Sequence, residues 1–333
     1  MSLPKPEDAT YCYEDYLVTT PEEVRACLDE HGVAILANVL DPSECEALHK
    51  GIWNELHTIT SDWEEPLDFT NPTSWPGLWR LYPKNSMLLQ HQQVGHFQSV
   101  WDVRQNPKVA GVFSDFWNVP ATDLLTSMDG ISVHLPSEQT GRGWARRSPY
   151  HCDQSFTKHS LETVQGWVTA NDIRDGDATL AFLAGSHKFQ TQAAEQFRDP
   201  LVTKKQAWNM LSPEMVQWYI EHGCEPQCIR CPAGSLVLWD SRTIHSGREP
   251  LKTRSQANDR CIVYVTMTPR SMASEATLRK RRKAFEERRM TGHNPHCVRL
   301  FSVHPWTRGG ELPVVRDVPE PELTELGKKL IGR

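Results

Sequence analysis

Hydrophobic positions near the start of the chain recur at helical spacing in two stretches, with a short apolar run between them. Residues 20–23 combine a threonine, a proline and two glutamates, which predicts the start of a first helix. Residues 41–44 have the Asp-Pro-Ser-Glu pattern of a capping box and predict a second. The apolar run at 33–36 predicts a strand, and residues 60–90, rich in Pro, Trp, Asn and Ser, predict a long irregular surface segment.

The hydrophobic pattern changes to short β-type runs between about residues 122 and 270. These runs lie at residues 130–135, 164–170, 179–183, 235–239 and 261–267. No regular helices alternate with them, which favours an antiparallel barrel or sandwich over a parallel sheet. Helices are predicted again at 271–290 and 321–331. The simplest interpretation is a single domain over residues 1–333, mainly β with flanking helices.

Composition excludes several classes of protein. The 333 residues carry a net charge of −6, which argues against a protein that coats nucleic acid or an anionic membrane. The apolar runs are too short to span a bilayer, and the first residues lack the apolar stretch of a secretory signal. Nine cysteines, an odd number, then indicate reduced thiols and a cytoplasmic location.

His151, Asp153 and His245 are the residues best suited to hold a metal ion. On a strand, His151 and Asp153 point to the same face, and His245 follows a later strand-like run. Two histidines and one carboxylate suit non-haem Fe(II), with positions left for a chelating cosubstrate and oxygen. A His-x-Asp pair alone is more often a surface histidine beside an aspartate, and the same ligand types also occur at catalytic zinc, so a zinc hydrolase stays open.

The ordered segments around these residues resemble the phytanoyl-CoA dioxygenase-like family of Fe(II)/2-oxoglutarate-dependent oxygenases. The segments are residues 32–45, 176–188 and 232–247, and the strand that begins at Arg260. The resemblance spans roughly residues 28–270. It implies a double-stranded β-helix core, of the jelly-roll or cupin-like kind, with residues 271–333 as a helical C-terminal extension.

The resemblance also implies roles for individual residues. The iron ligands would be His151, Asp153 and His245. Arg260 would grip the distal carboxylate of 2-oxoglutarate, with Trp167 and its neighbour Gln165 beside the cosubstrate. Ser246 lies one residue from the family's hydroxyl position. Arg254 is a rival for the carboxylate role, but Arg260 begins a strand, and a rigid element positions a guanidinium better than a loop does.

An oxidoreductase follows from this resemblance, with Fe(II), 2-oxoglutarate and O2 as its cofactor and cosubstrates. It would hydroxylate, desaturate or cyclise a C–H bond of a small molecule and release succinate and CO2. Halogenation is not expected, because Asp153 occupies the position that halogenating members leave to chloride. Candidates for the substrate pocket are Arg146, Arg147, Tyr150 and Trp239, and a guanidinium there would suit an anionic substrate.

Two further motifs offer alternatives. The cysteines at 224, 228 and 231 have the spacing of an iron–sulfur loop, but an extended chain would place Cys228 and Cys231 on opposite faces, so ordinary thiols are expected. The basic run 279–289 could serve a protein or nucleic-acid hydroxylase, but a solvated amphipathic helix is favoured. His187 is expected in a turn, away from the metal. A jelly-roll binding protein with a non-catalytic metal site remains the other alternative.

Overall fold

The computed structural model describes residues 8–82, 88–141, 149–198, 208–304 and 312–333. Its strands are β1 (Thr10–Cys12), β2 (Leu17–Val18), β3 (Val33–Leu36), β4 (Leu124–Thr126), β5 (Ile131–His134), β6 (His151–Cys152), β7 (Val164–Thr169), β8 (Thr179–Leu183), β9 (Asn209–Met210), β10 (Pro226–Ile229), β11 (Leu236–Asp240), β12 (His245–Arg248) and β13 (Arg260–Pro269). Its helices are α1 (Glu23–His31), α2 (Pro42–Ile59), α3 (Gln98–Arg104), α4 (Pro107–Trp117), α5 (Ser137–Thr140), α6 (Gln190–Gln196), α7 (Pro213–Glu221), α8 (Glu275–Glu286) and α9 (Glu325–Leu330).

The strands form two sheets that face each other. The first has the order β1-β10-β8-β12-β6-β9, and the second has the order β2-β3-β11-β7-β13-β4, with β5 also paired to β13. From β5 to β8 and again from β10 to β13, successive core strands alternate between the sheets. This is the jelly-roll arrangement, so the expectation of a mainly-β, double-stranded β-helix core is confirmed.

Alternation along the strands divides the second sheet into an inner and an outer face. Trp167, Val237 and Ile262 belong to the apolar cluster between the sheets. Their neighbours Val168 and Leu238 belong instead to the large cluster that includes the apolar side of α2. Side chains of a strand point alternately to its two faces. The pairing register of these strands therefore determines which side chains point into the space between the sheets and which pack against α2.

The two N-terminal helices differ in how they begin. Asp41 and Glu44 form the expected capping box of α2, in which Asp41 accepts from two backbone N–H groups and Glu44 accepts from the N–H of Asp41. Helix α1 begins at Glu23, three residues after the expected cap. The Glu23 carboxylate accepts a hydrogen bond from the N–H of Thr19 at 2.8 Å. A side chain in the first turn of the helix thus binds a backbone N–H group of the segment before it.

The segment after α2 is not a surface segment throughout. Residues Trp75–Leu81 form a 3₁₀-helix, and Leu67, Trp75, Leu78 and Leu81 are buried in the large cluster around α2. The sequence expectation for 60–90 was wrong in this respect, because spaced apolar residues in an irregular segment can still pack on a core. Residues 83–87 lie outside the described residues.

The C-terminal extension is fastened to the core by its basic helix. Arg281 on α8 is fully buried and donates to the carbonyls of Thr126 (2.6 Å), Leu330 (2.9 Å) and Pro295 (3.1 Å). Burial, followed by repulsion from neighbouring arginines, lowers its pKa to about 9. The expected amphipathic helix is present, with Leu278 and Phe285 buried, but it is not solvated at every charged position. Arg281 replaces water as the partner of three buried carbonyl groups.

The cysteines do not share a site. All nine lie within the described residues and are free thiols. Cys224, Cys228 and Cys231 belong to three different apolar clusters, as expected for ordinary buried thiols. Among the helices of the described residues, none has the length and apolar character needed to cross a membrane.

Candidate active site

His151 and His245 lie side by side on adjacent strands of the first sheet. They are register partners on the antiparallel strands β6 and β12, and their ring centroids lie 4.3 Å apart. Partners on adjacent strands project from the same face, and Asp153 follows His151 by two residues. One ligand atom from each of the three side chains lies within 4.8 Å of the others. Among the described residues, no other group of this kind is found.

Backbone carbonyls set the direction of both imidazoles. The Nδ1 atom of His151 lies 2.9 Å from the carbonyl oxygen of Pro149, and that of His245 lies 2.9 Å from the carbonyl oxygen of Thr243. Since a carbonyl only accepts, each Nδ1 carries the proton and each Nε2 keeps its lone pair. The Nε2 atoms lie 3.9 Å and 3.4 Å from the two Asp153 oxygens. Two imidazole nitrogens and a carboxylate that converge on one point are a ligand set suited to Fe(II).

The protonation states suit metal binding. Burial opposes ionisation of Asp153, but the charges of His293, His151 and His245 outweigh it and hold the pKa of this carboxyl well below its usual range. Burial and repulsion from His245 lower the pKa of His151 to about 4. At neutral pH the carboxylate is therefore charged and His151 is neutral, the forms in which these groups bind a metal ion.

Gln165 contacts one of the three candidate metal ligands. Its Nε2 atom donates to Asp153 Oδ2 across 2.9 Å, and both side chains are buried. A hydrogen bond of this kind restricts the orientation of the carboxylate.

Arg260 is a buried guanidinium inside the jelly roll. It lies two residues before Ile262, which packs between the sheets, and it donates to Ser132 Oγ (3.0 Å) and to the carbonyl of Ala178 (2.7 Å). Burial lowers its pKa, partly offset by Tyr264. Among the described residues no carboxylate forms an ion pair with Arg260, so some of its five N–H groups are left for an anionic ligand.

Arg254 is already committed to protein carboxylates. It forms a two-pronged pair with Glu138 (2.6 Å and 2.7 Å) and a further pair with Asp177 (2.7 Å). Its side chain is 2% exposed. These contacts fasten the loop between β12 and β13 to the body of the protein. Because they use most of the N–H groups of Arg254, few are left to bind the carboxylate of a ligand.

Two tryptophans line the interior near these groups. The Trp167 ring lies 5.8 Å from the Arg260 guanidinium carbon. The Trp239 ring lies 5.5 Å from the ring of His245, and its buried N–H has no partner among the described residues. Trp239 therefore lies beside one of the candidate metal ligands, inside the jelly roll.

Other predicted site residues are not brought to this interior. Ser246 is the register partner of Ala181, which belongs to a cluster on the outer face of the first sheet. Tyr150 is buried in an outer cluster with Cys152 and Phe156. Both adjoin a ligand in sequence, and neighbours on a strand point to opposite faces. Arg146 and Arg147 lie outside the described residues. His187 lies in a 3₁₀-helix, and its Nε2 contacts the carbonyl of Asp29 at 3.1 Å.

Sequence reasoning missed three residues around the metal position. Trp208 lies with its ring 5.6 Å from that of His151, and Met210 is the register partner of His151. His293, from the C-terminal extension, lies close enough to His151 and Asp153 for its charge to affect the pKa of each. The sequence offered one indication of His293, the presence of two histidines in residues 292–296. The composition of that polar stretch predicts only a turn.

Comparison with known proteins agrees with this architecture. The model of the phytanoyl-CoA dioxygenase (PhyH) family matches residues 28–254. The chain is 29% identical over 211 residues to Ava biosynthesis cluster protein O of Aspergillus versicolor. That match covers 61% of this chain and 65% of the relative, which is less than two thirds of its length.

Solved structures with similar folds include two bacterial proteins. One, from Salmonella typhimurium LT2, has a TM-score of 0.57 at 14% identity and covers 96% of this chain and 86% of its own. The other, hypothetical protein JW0805 of Escherichia coli, has a TM-score of 0.54 at 15% identity and covers 95% and 82%. At such identities the similarity is one of fold.

Proposed function

The chain belongs to the phytanoyl-CoA dioxygenase family, and from that premise we propose that it is an Fe(II)- and 2-oxoglutarate-dependent oxygenase acting on a small molecule. The observation that carries the proposal is the convergence of His151, Asp153 and His245, whose ligand atoms lie within 4.8 Å of one another. Both imidazoles present Nε2 to the same point, because their Nδ1 atoms are held by backbone carbonyls.

Each residue of the site has a definite task in this reaction. Fe(II), when bound, supplies the activation of O2 and the oxidative decarboxylation of 2-oxoglutarate to succinate and CO2. His151, Asp153 and His245 would hold the metal, and three protein ligands are few enough to admit a chelating cosubstrate and oxygen. Gln165 fixes the orientation of Asp153 through its 2.9 Å hydrogen bond. The protein thus orients the reactants and excludes water, since all four side chains are buried.

Arg260 binds the distal carboxylate of 2-oxoglutarate. Its support comes from burial, from a position on the inner face of β13 and from the lack of a described carboxylate partner. Trp167 and Trp239 flank the same interior, and the free N–H of Trp239 is a donor for the cosubstrate. Arg254 has no part in cosubstrate binding, because Glu138 and Asp177 occupy it.

The substrate reaction is oxygen insertion, desaturation or cyclisation at a C–H bond. A complete set of three protein ligands, Asp153 included, leaves no additional position for chloride, so halogenation is not proposed. An anionic substrate stays a prediction, because Arg146 and Arg147 lie outside the described residues. It is checked by their alanine variants, one of which should raise the substrate KM and leave the 2-oxoglutarate KM unchanged.

Anaerobic titration tests the proposed function. Fe(II) and 2-oxoglutarate together should give a visible charge-transfer band, which His151→Ala and His245→Ala should abolish. Admission of O2 should then produce succinate. A band without succinate formation would indicate a non-catalytic binding protein, and a band unchanged in both variants would refute the assigned ligands.

A further inference from the structure

An exposed apolar pair borders the metal position. Trp208 and Met210 are 46% and 58% exposed, and they are two residues apart at the edge strand β9. Met210 is the register partner of His151, so it projects from the same face as that ligand. Trp208, two residues before it, lies on this face as well, with its ring 5.6 Å from the His151 ring and tilted 37°.

This pair differs from scattered surface apolar residues. Asn209, between the two, is buried and donates to the carbonyl of Gln154, so the strand is anchored by its other face. An indole and a thioether held on an anchored strand beside a metal ligand form an exposed apolar surface at the edge of the site. Tryptophan and methionine both make favourable contacts with planar rings.

A polar group from the C-terminal extension lies near the same metal ligands, because the charge of His293 acts on both His151 and Asp153. The Nε2 atom of His293 is buried and has no hydrogen-bond partner among the described residues. The segment that carries it is fastened at both ends: Thr291 exchanges hydrogen bonds with Met128, and the Pro295 carbonyl accepts from Arg281. A buried, unpaired imidazole nitrogen held in place near the metal site is suited to bind a polar group of a ligand.

We propose that the substrate carries a planar aromatic ring, which lies on Trp208 and Met210, next to a hydrogen-bonding group that is bound by His293. The inference deepens the proposed oxygenase function and rests on it for the location of the reacting centre. His293 lies outside residues 28–254, the range matched by the family model. Substrate selection is therefore partly a property of this chain's own C-terminal extension.

Ligand-observed NMR with three small amides tests this inference. Phenylacetamide, indole-3-acetamide and cyclohexylacetamide share one amide and differ in the ring. Binding is measured with the full chain in the presence of 2-oxoglutarate and Zn(II), which does not support turnover, and is repeated without metal. The two aromatic amides should bind about three- to tenfold more tightly than the cyclohexyl amide, which is the range that aromatic pairing adds beyond buried area.

Variants separate the two recognition elements. Trp208→Leu keeps an apolar side chain and should abolish the aromatic preference, whereas Trp208→Phe should retain it. His293→Ala should weaken all three amides about two- to tenfold, the range for one lost hydrogen bond, and His293→Gln should restore part of the affinity. Met272→Ala is the control for Met210→Ala, and His304→Ala is the control for His293→Ala, since Met272 and His304 are exposed.

The outcomes are distinguishable from those of the oxygenase test. Equal affinity for phenyl and cyclohexyl amides, no binding of any amide at millimolar concentration, or an aromatic preference that survives Trp208→Leu would each overturn the inference. Circular dichroism verifies the fold of each variant, and Met210→Ala, expected to weaken the aromatic amides, replaces Trp208→Leu should the latter not fold. Succinate formation without substrate reports on the oxygenase function separately.

Discussion

The side-chain amide of Gln165 donates to the carboxylate of Asp153 across 2.9 Å and links the two sheets at the metal site. Gln165 lies on β7 of the second sheet, and Asp153 follows β6 of the first. One sheet thus orients a metal ligand that the other supplies. The hydrogen bond also stabilises the charged form of the carboxyl group, which is the form that binds a metal.

Replacement of Gln165 by leucine should weaken Fe(II) binding about 10- to 100-fold, because the Asp153 carboxylate loses the partner that fixes its orientation. Anaerobic competition with a chelator of known affinity measures the change. Gln190→Leu is the matched control, since Gln190 is also buried but contacts the carbonyl of Ser155. Equal Fe(II) affinity in wild type and Gln165→Leu would remove Gln165 from the site.

Arg260→Ala should weaken 2-oxoglutarate binding at least about 30-fold. The buried carboxylate of the cosubstrate would lose its charged partner, a loss of about 2–5 kcal/mol. Titration of the charge-transfer band with 2-oxoglutarate under anaerobic conditions gives the dissociation constant. Arg260→Lys should restore affinity only in part, because an ammonium group cannot form the paired contacts of a guanidinium.

Arg254→Ala should lower the free energy of unfolding by about 3 kcal/mol and leave the 2-oxoglutarate dissociation constant unchanged. The physical reason is that Glu138 and Asp177 would lose their cation, and Asp177 is buried. Urea unfolding and the same anaerobic titration measure the two quantities. A loss of 2-oxoglutarate affinity larger than that of Arg260→Ala would exchange the roles of the two arginines.

His96 should make the protein less stable in mild acid. Burial, followed by repulsion from Arg104 and Arg288, lowers its pKa to about 3 in the folded protein, against about 6.5 in an unfolded chain. Between these values the unfolded state binds more protons, so stability is lost as the pH falls from 6.5 towards 3, by up to about 1.4 kcal/mol per pH unit. Urea unfolding of His96→Leu at pH 7.5 and pH 5 should show a smaller decrease than the wild type. Parallel decreases would contradict this role of His96.

Arg281→Met should loosen the C-terminal extension. The carbonyls of Thr126, Leu330 and Pro295 would lose their common donor, and a buried carbonyl without a partner costs about 1–3 kcal/mol. Hydrogen exchange should accelerate in residues 290–304, and the free energy of unfolding should fall. Lys283→Met, at an exposed position of the same helix, should leave both unchanged.

Much of the fold was predictable because its determinants are local. The capping box at Asp41 and Glu44 and the runs that became β7, β8 and β13 can be recognised within a few residues of sequence. The same holds for His151 and Asp153, since a spacing of two in an extended chain places both side chains on one face. The predicted start of the first helix was too early. Helix α1 begins at Glu23, whose carboxylate accepts from the N–H of Thr19 in place of the expected cap.

The sequence by itself indicated a mainly-β barrel or sandwich and the three metal-ligand candidates, because strand periodicity and residue chemistry are properties of short segments. The jelly-roll core and the role of Arg260 were expectations from the family resemblance. The tertiary structure alone decided that Ser246 faces away from the interior, that Arg254 is held by Glu138 and Asp177, and that Arg281 is buried. It also brought His293 close enough to His151 and Asp153, which precede it by 140 residues or more, for its charge to act on both. Strand register and the docking of a distant segment depend on packing between elements far apart in the chain, and no local pattern encodes the identity of such partners.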